Sequence, residues 1–249
     1  MPRTARRKSE SGIYHIMLRG INRQQIFEDE EDNLRFLETL KKYKEQCGYE
    51  IYAYCLMGNH LHMLLKEGKE DLTLMLKRIA GSYVYWYNWK YHRTGHLFQD
   101  RFKSEPVEDD SYFFTVLRYI HQNPVKAGLC KKVKGYKFSS YNEYLENSEL
   151  VNANFVFSLI SKEQFIEFNN EENADSCLEM EYSFRLTDEE AKEIIYKISK
   201  CKNVANFQSL EKNKRVSYLQ KFYLNGLSIR QISRLTGVSK KIVETSVRE

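Results

Sequence analysis

The stretch that most restricts the fold is EIYAYCLMGNHLHMLLKE, Glu50–Glu67. Apolar and aromatic residues flank Met57-Gly58-Asn59, a pattern that favours two strands around a tight turn. The spacing predicts a hairpin. Within it His60 and His62 stand two apart, and side chains two apart in a strand project from one face. Two imidazoles side by side can grip one metal ion. A bare His-x-His pair is a weak signal that more often means two structural histidines, so its meaning depends on what else the chain brings to it.

The hairpin sits inside a longer order. GIYHIMLRG, Gly12–Gly20, predicts a strand ending in a basic turn. Asp32–Gly48 repeats Leu34, Leu37 and Leu40 at helical spacing, with Gly48 as a stop. A helix is expected from Asp71 to about Tyr91 and a strand around Phe102–Val107. A last helix from Tyr112 to about Asn123 is capped by Asp110 or Ser111 and stopped by Pro124. The order β-α-β-β-α-β-α predicts an α+β fold, a ferredoxin-like split β-α-β domain. Its antiparallel sheet is expected to carry helices on one side.

Charge divides the rest. Residues 1–140 hold 24 Lys/Arg against 17 Asp/Glu, residues 141–190 hold 2 against 13, and residues 191–249 hold 13 against 4. Two basic regions around an acidic middle suggest two surfaces for a polyanion. The expected organisation is a domain over 1–145, an acidic linker region over 146–185 and an all-α region over 186–249. In the last, Leu186–Lys200 reads as a helix with a Thr187/Glu190 capping box. LSIRQISRLTGVSKKIVETSVRE then repeats a helical unit about Thr236-Gly237-Val238, with Ser228 and Ser239 as caps. Ile229, Ile232, Leu235, Val238, Ile242 and Val243 are expected to face inward. This is the pattern of a helix-turn-helix, with Lys240 and Lys241 available for DNA.

A nucleophile for the histidine pair is found in LRYIHQNPVKAGL, Leu117–Leu129. Tyr119 and Asn123 are i and i+4 on one helical face. A tyrosine hydroxyl is a poor nucleophile at neutral pH, and a metal beside it can polarise a phosphodiester for attack. Asn123 offers a hard amide oxygen that, with two imidazoles, suits Mg²⁺ or Mn²⁺. Cations for phosphate come from Arg19, Asn22 and Arg23 after the first strand, and from Arg101 and Lys103 near the fourth. The aromatic run Tyr83–Phe98 interleaves rings with Lys90 and Arg93, as base-stacking platforms do.

HIMLRGINRQQIF, GNHLH, GHLFQDRFKS and RYIHQNPVKAGL, in this order, resemble the single-tyrosine HUH transposases, especially the REP-associated tyrosine transposases. The likeness covers about residues 10–145. It implies an HUH fold, a single-stranded DNA substrate with hairpin ends, a divalent metal, and a covalent 5′-phosphotyrosine with a free 3′-OH. On the family pattern His60 and His62 are metal ligands, Tyr119 is the nucleophile and Asn123 the third ligand. Related chains often carry Gln at that last position, which leaves the neighbouring Gln122 as an alternative.

Five cysteines without metal or redox spacing fit reduced thiols. The basic N-terminus lacks the apolar core of a secretion signal, and no run is long enough to span a bilayer, so a cytoplasmic location is expected. No P-loop occurs, in keeping with strand exchange that needs no ATP. The expected partners are single-stranded DNA and, through the C-terminal helices, duplex DNA, with the protein acting as monomer or homodimer. The alternative is a non-catalytic nucleic-acid-binding protein of the same fold.

Overall fold

Side-chain alternation decides what each strand contributes. The computed structural model describes residues 6–173, 175–178, 188–201 and 203–247, which fall into two compact units divided after residue 179. In the first unit β1 (Ile13–Arg19) is followed by a 3₁₀ turn (Ile21–Arg23) and α1 (Glu30–Cys47). The predicted hairpin is β2 (Glu50–Met57) and β3 (His60–Lys66), and α2 (Leu72–Lys90) leads to β4 (Lys103–Pro106). The sheet order is β2-β3-β1-β4, antiparallel throughout. Thus α1 carries the chain past β3 to the edge, and α2 carries it from β3 to the opposite edge.

Local chemistry sets the helix ends. Asp29 accepts from Asp32 N at 3.1 Å while the Asp32 carboxylate accepts from Asp29 N at 3.2 Å, so α1 opens on a reciprocal cap. Asp71 accepts from Thr73 N at the start of α2. The next helix, α3 (Asp110–Lys126), is capped by Asp109 rather than by Asp110 or Ser111. It also runs through Pro124 instead of ending before it. Pro124 removes one backbone donor, yet the amides of Ala127 and Leu129 bond the carbonyls of Asn123 and Pro124, so the helix closes beyond it.

Helices cover both faces of the sheet, where one was expected. Leu18 packs beside Leu76, Ala80 and Val84 of α2, and Phe36 of α1 meets Tyr83 of α2 edge to face at 5.1 Å. Tyr119 of α3 lies instead against His15 and His62, which project from the other face. β1, β2 and β3 are accordingly buried almost continuously rather than at alternate residues, while the edge strand β4 is half-buried throughout.

The acidic stretch expected as a linker contributes to this core. Following α4 (Tyr141–Leu145), α5 (Ala153–Leu159) and α6 (Lys162–Asn170) bury Val156 and Phe165 completely. Tyr144 stacks on Phe165 at 4.4 Å. The acids lie on the outer faces, and the sparse apolar residues between them carry the packing.

The second unit is all-α: α7 (Asp188–Ser199), α8 (Val204–Gln208), α9 (Lys212–Leu224), α10 (Ile229–Thr236) and α11 (Lys240–Ser246). Its core gathers Ile195, Phe207, Leu219, Phe222, Ile232 and Val243. Ser228 and Gln231 cap α10 reciprocally, Ser239 caps α11, and Gly237 takes the left-handed conformation between them (φ 68°). Ile242 departs from expectation: it is 54% exposed, because α11 turns Val243 to the core. Thr187 lies outside the described residues. No helix among those described is long and apolar enough to cross a membrane.

Candidate active site

Register builds the site. Across the sheet, Lys103, Met17, His62 and Cys55 form one row, and Arg19, His60 and Met57 form the row nearest the turn. Directly opposed residues of antiparallel strands share a face, so Arg19 and Lys103 stand on the face of the two imidazoles. The His60 and His62 rings lie 5.3 Å apart, nearly perpendicular.

Each histidine of the pair has a hydrogen-bond partner on Nδ1. His60 Nδ1 meets Asn59 Oδ1 at 2.6 Å, and Asn59 Nδ2 donates to Arg23 O at 3.3 Å. The second bond sets the amide's orientation, so Oδ1 accepts from His60 Nδ1–H and leaves the lone pair on Nε2. His62 Nδ1 meets Nε2 of the fully buried His15 at 2.9 Å. When His62 donates this bond, its Nε2 also carries a lone pair, and the His15 proton sits on Nδ1, which has no hydrogen-bond partner. Burial drives all three rings toward the neutral form. His15 is lowered to about 3, and His60 to about 4 by burial and then by the Arg19 charge. His62 is held well below the ordinary value by burial and then by the other two rings.

The turn after β1 supports this arrangement. Gly20 N donates to Asn59 O, and Ile26 N and Phe27 N donate to Gly58 O. A Cβ at Gly20 would lie 2.2 Å from Gln24 O, so the tight return of the chain requires glycine there. Asn22 and Arg23 adopt positive φ (50° and 61°), a conformation that costs energy outside glycine. HIMLRGINRQQIF and GNHLH are thus two sides of one hydrogen-bonded junction.

From α3, the Tyr119 ring lies 5.6 Å from the His62 ring and 5.8 Å from the His15 ring, centroid to centroid. The Lys126 ammonium is 5.3 Å from the Tyr119 ring centre. Asn123, one turn along, has a buried Nδ2 with no hydrogen-bond partner. Its neighbour Gln122 is fully engaged elsewhere. Gln122 Nε2 donates to Asn169 O (2.9 Å) and Glu171 O (2.8 Å), and its Oε1 accepts from Asn173 (2.7 Å). His121 is bonded on both nitrogens, to Asn169 Oδ1 and Ser140 Oγ. Arg118 pairs with Glu171 and Asp175. Four polar positions around Ile120 therefore divide by helical phase: Tyr119 faces the histidines, His121 holds Asn169 of α6 and Ser140, and Arg118 and Gln122 latch the end of α6 and the segment after it.

The residues expected at one site are only partly together. Tyr119, His60, His62, Arg19 and Lys103 share one face, and Asn22 and Arg23 flank it through the Asn59 junction. Arg101 lines a cleft against α2 instead. Lys240 and Lys241 belong to the second unit, where Lys240 pairs with Glu244. His92 and His96 are exposed loop residues. Among the described residues no three His, Cys, Asp or Glu side chains are grouped as a metal site. The contribution of His15 was missed by sequence reasoning; its place two residues before Met17 on an apolar strand was a signal of facing, though not of partner.

Residues 8–123 match the family model described as Transposase IS200 like. The REP-associated tyrosine transposase of Escherichia coli is 25% identical over 139 residues, covering 54% of this chain and 78% of its own. A Haemophilus influenzae protein whose name assigns it provisionally to the same type is 25% identical over 119 residues, covering 42% of this chain and 68% of its own. The solved structure of a REP-associated tyrosine transposase bound to a REP hairpin aligns over 59% of this chain and 87% of that one. Its TM-score is 0.50 at 21% identity, a likeness of fold. Residues 8–123, which hold the sheet, both imidazoles and the Tyr119 phenol, are thus the part of this chain that is similar to the IS200-like transposases.

Proposed function

We propose that the protein is a transposase that cleaves and rejoins single-stranded DNA through Tyr119, as an endonuclease and strand transferase. The observation that carries this is the packing of the Tyr119 ring against His62, within the same chain and beside His60. The phenolic oxygen forms a bond to the scissile phosphorus, the bond from phosphorus to the 3′ oxygen breaks, and a proton ends on the released 3′-OH. The 5′ side stays on Tyr119, so the reverse step with another 3′-OH rejoins strands without ATP. Arg19 and Lys103 are placed to hold phosphates beside the imidazoles, with Asn22 and Arg23 next to them.

The neutral rings of His60 and His62 and the orphaned amide of Asn123 fit a hard divalent cation. The two ends of such an amide are exchangeable by rotation, which turns Oδ1 into the unpartnered position. When bound, Mg²⁺ or Mn²⁺ supplies charge neutralisation at the scissile phosphate. Gln122 does not serve, since both ends of its amide are bonded. His15 and Asn59 orient the two imidazoles, as outer partners of ligating histidines commonly do.

The strand order and the two helical crossovers support the split β-α-β form of the HUH domain. The capped pair α10 and α11, turned at Gly237, supports a helix-turn-helix that offers Lys240 and Lys241 to duplex DNA.

The test is a labelled single-stranded hairpin oligonucleotide incubated with the full chain and Mn²⁺. A covalent protein–DNA band is expected, and Tyr119→Phe should lower its formation at least about a thousandfold. Cleavage that persists in Tyr119→Phe would assign the nucleophile to water, and absence of both cleavage and adduct in the unaltered chain would leave a binding protein.

A further inference from the structure

GHLFQDRFKS has so far supplied only Lys103 to the site, and its remaining residues build something else. The segment 97–99 pairs with the end of β1: Ile21 N donates to Leu97 O at 2.9 Å and Gln99 N to Arg19 O at 2.7 Å. Between this segment and α2 lies a cleft of about 400 Å³, within the size range of small-ligand sites. Leu18, Leu76, Ala80, Val84, Phe98 and Phe102 form its apolar walls. Gly81 opens it further: a Cβ there would meet nothing within 4 Å.

The rim is cationic. Arg6, Lys77 and Arg101 line it, against the single carboxylate of Asp100. The Arg6 guanidinium lies over the Phe102 ring at 3.7 Å and donates to Phe102 O at 3.1 Å, which places it at the mouth. Burial and then the nearby Arg101 charge lower its proton affinity, so the two guanidiniums repel and an anion between them would relieve both. An apolar slot with aromatic walls beside paired guanidiniums matches one chemistry well: a planar base with a phosphate attached.

We infer that this cleft holds one unstacked base of the single-stranded DNA, with the adjoining phosphate on Arg6 and Arg101. This rests on the DNA-processing reading above and deepens it. The position suits the role. Phe98 bridges Gly20, whose neighbour Arg19 is opposite His60, so the cleft and the imidazoles lie at the same end of the sheet on opposite faces. A strand passing over that end presents a phosphate to one face and a base to the other.

The experiment measures binding of a fluorescein-labelled hairpin oligonucleotide with single-stranded flanks, and of a series carrying one abasic site at each flanking position. Removing the base at one or two positions should weaken binding by the full chain about tenfold. Gly81→Leu puts a side chain into the cleft from a position where a Cβ meets nothing within 4 Å, and it should keep or raise the melting temperature, since Gly is a poor helix former. Its affinity should fall about tenfold, and it should no longer respond to the abasic sites. Arg101→Gln should lower the salt dependence of binding by about one phosphate contact. Uniform affinity across the abasic series, or Gly81→Leu that binds every oligonucleotide as the unaltered chain does, overturns the cleft's role. Adduct formation run in parallel separates the cases: adduct with an indifferent cleft rejects this inference alone, whereas neither adduct nor binding rejects the function as well.

Discussion

One sheet, two faces, two uses. On the side of α1 and α2 the strands present Tyr14, Ile16, Leu18, Leu61, Met63 and Leu65, all apolar or aromatic and at most 4% exposed. On the side of α3 the same strands present His15, Met17, Arg19, His60 and His62. The difference teaches how a small domain can keep reactive groups rigid. A polar residue on a strand is held by the hydrogen bonds of the ladder and by the apolar face behind it. The histidine face is therefore free to carry neutral rings, including one unpaired His15 nitrogen, that would weaken a face serving stability alone.

The comparison can be broken in three ways, beginning with the largest effect. Ile16→Ala removes a fully buried side chain from the α1/α2 face. It should cost about 2–5 kcal/mol of stability in denaturant unfolding, while adduct formation per folded molecule stays near that of the unaltered chain. Loss of activity in molecules that remain folded would show that the two faces are not separable.

Acid should act through the other side. His121, behind Tyr119 on α3, is lowered by burial to about 4. Above pH 6.5 it is neutral in both folded and unfolded chain. As the pH falls from about 6.5 toward 4 the unfolded chain takes up a proton first, so stability falls, and it levels off once the folded chain protonates as well. The loss from this residue is on the order of 3 kcal/mol. Unfolding of the first unit followed against pH should show a slope to which His15, His60 and His62 contribute in the same sense, and His121→Gln should reduce it by this residue's share. The second unit contains no histidine and serves as the internal control.

The smallest effect sharpens the contrast. Asn59→Ala deletes the acceptor that fixes the His60 tautomer. The affinity of the DNA-free chain for Mn²⁺, measured by titration calorimetry, should drop about tenfold with little change in melting temperature. An unchanged affinity would reduce Asn59 to a turn residue.

Much of this was legible in advance because it depends on short spacings. The hairpin, the shared face of His60 and His62, and the i, i+4 relation of Tyr119 and Asn123 follow from strand and helix periods. The caps Ser228 and Ser239 follow from local backbone chemistry. The rest required partners distant along the chain. His15 meets His62 only through the β1–β3 register, 47 positions apart. Gln122 is withdrawn from the site by Asn169, Glu171 and Asn173, on a stretch whose acidity concealed the buried Phe165. Arg101 lies before the last strand, next to Asp100 with its positive φ of 53°, whereas Lys103 opens that strand, so two cations that look alike in sequence reach different surfaces.

By itself, the sequence determined the strands and helices that carry the site, its residue types and the likeness to a family, since each lies within a few residues of chain or in motifs that stand in order, whereas the helices of the acidic stretch were not read from it. Only the tertiary structure decided that helices cover both faces, that one chain brings Tyr119 to His62, and that Asn123 rather than Gln122 is left without a partner. The reason is that burial and hydrogen-bond satisfaction are settled between segments, and no local period encodes which distant group will complete a side chain's bonds.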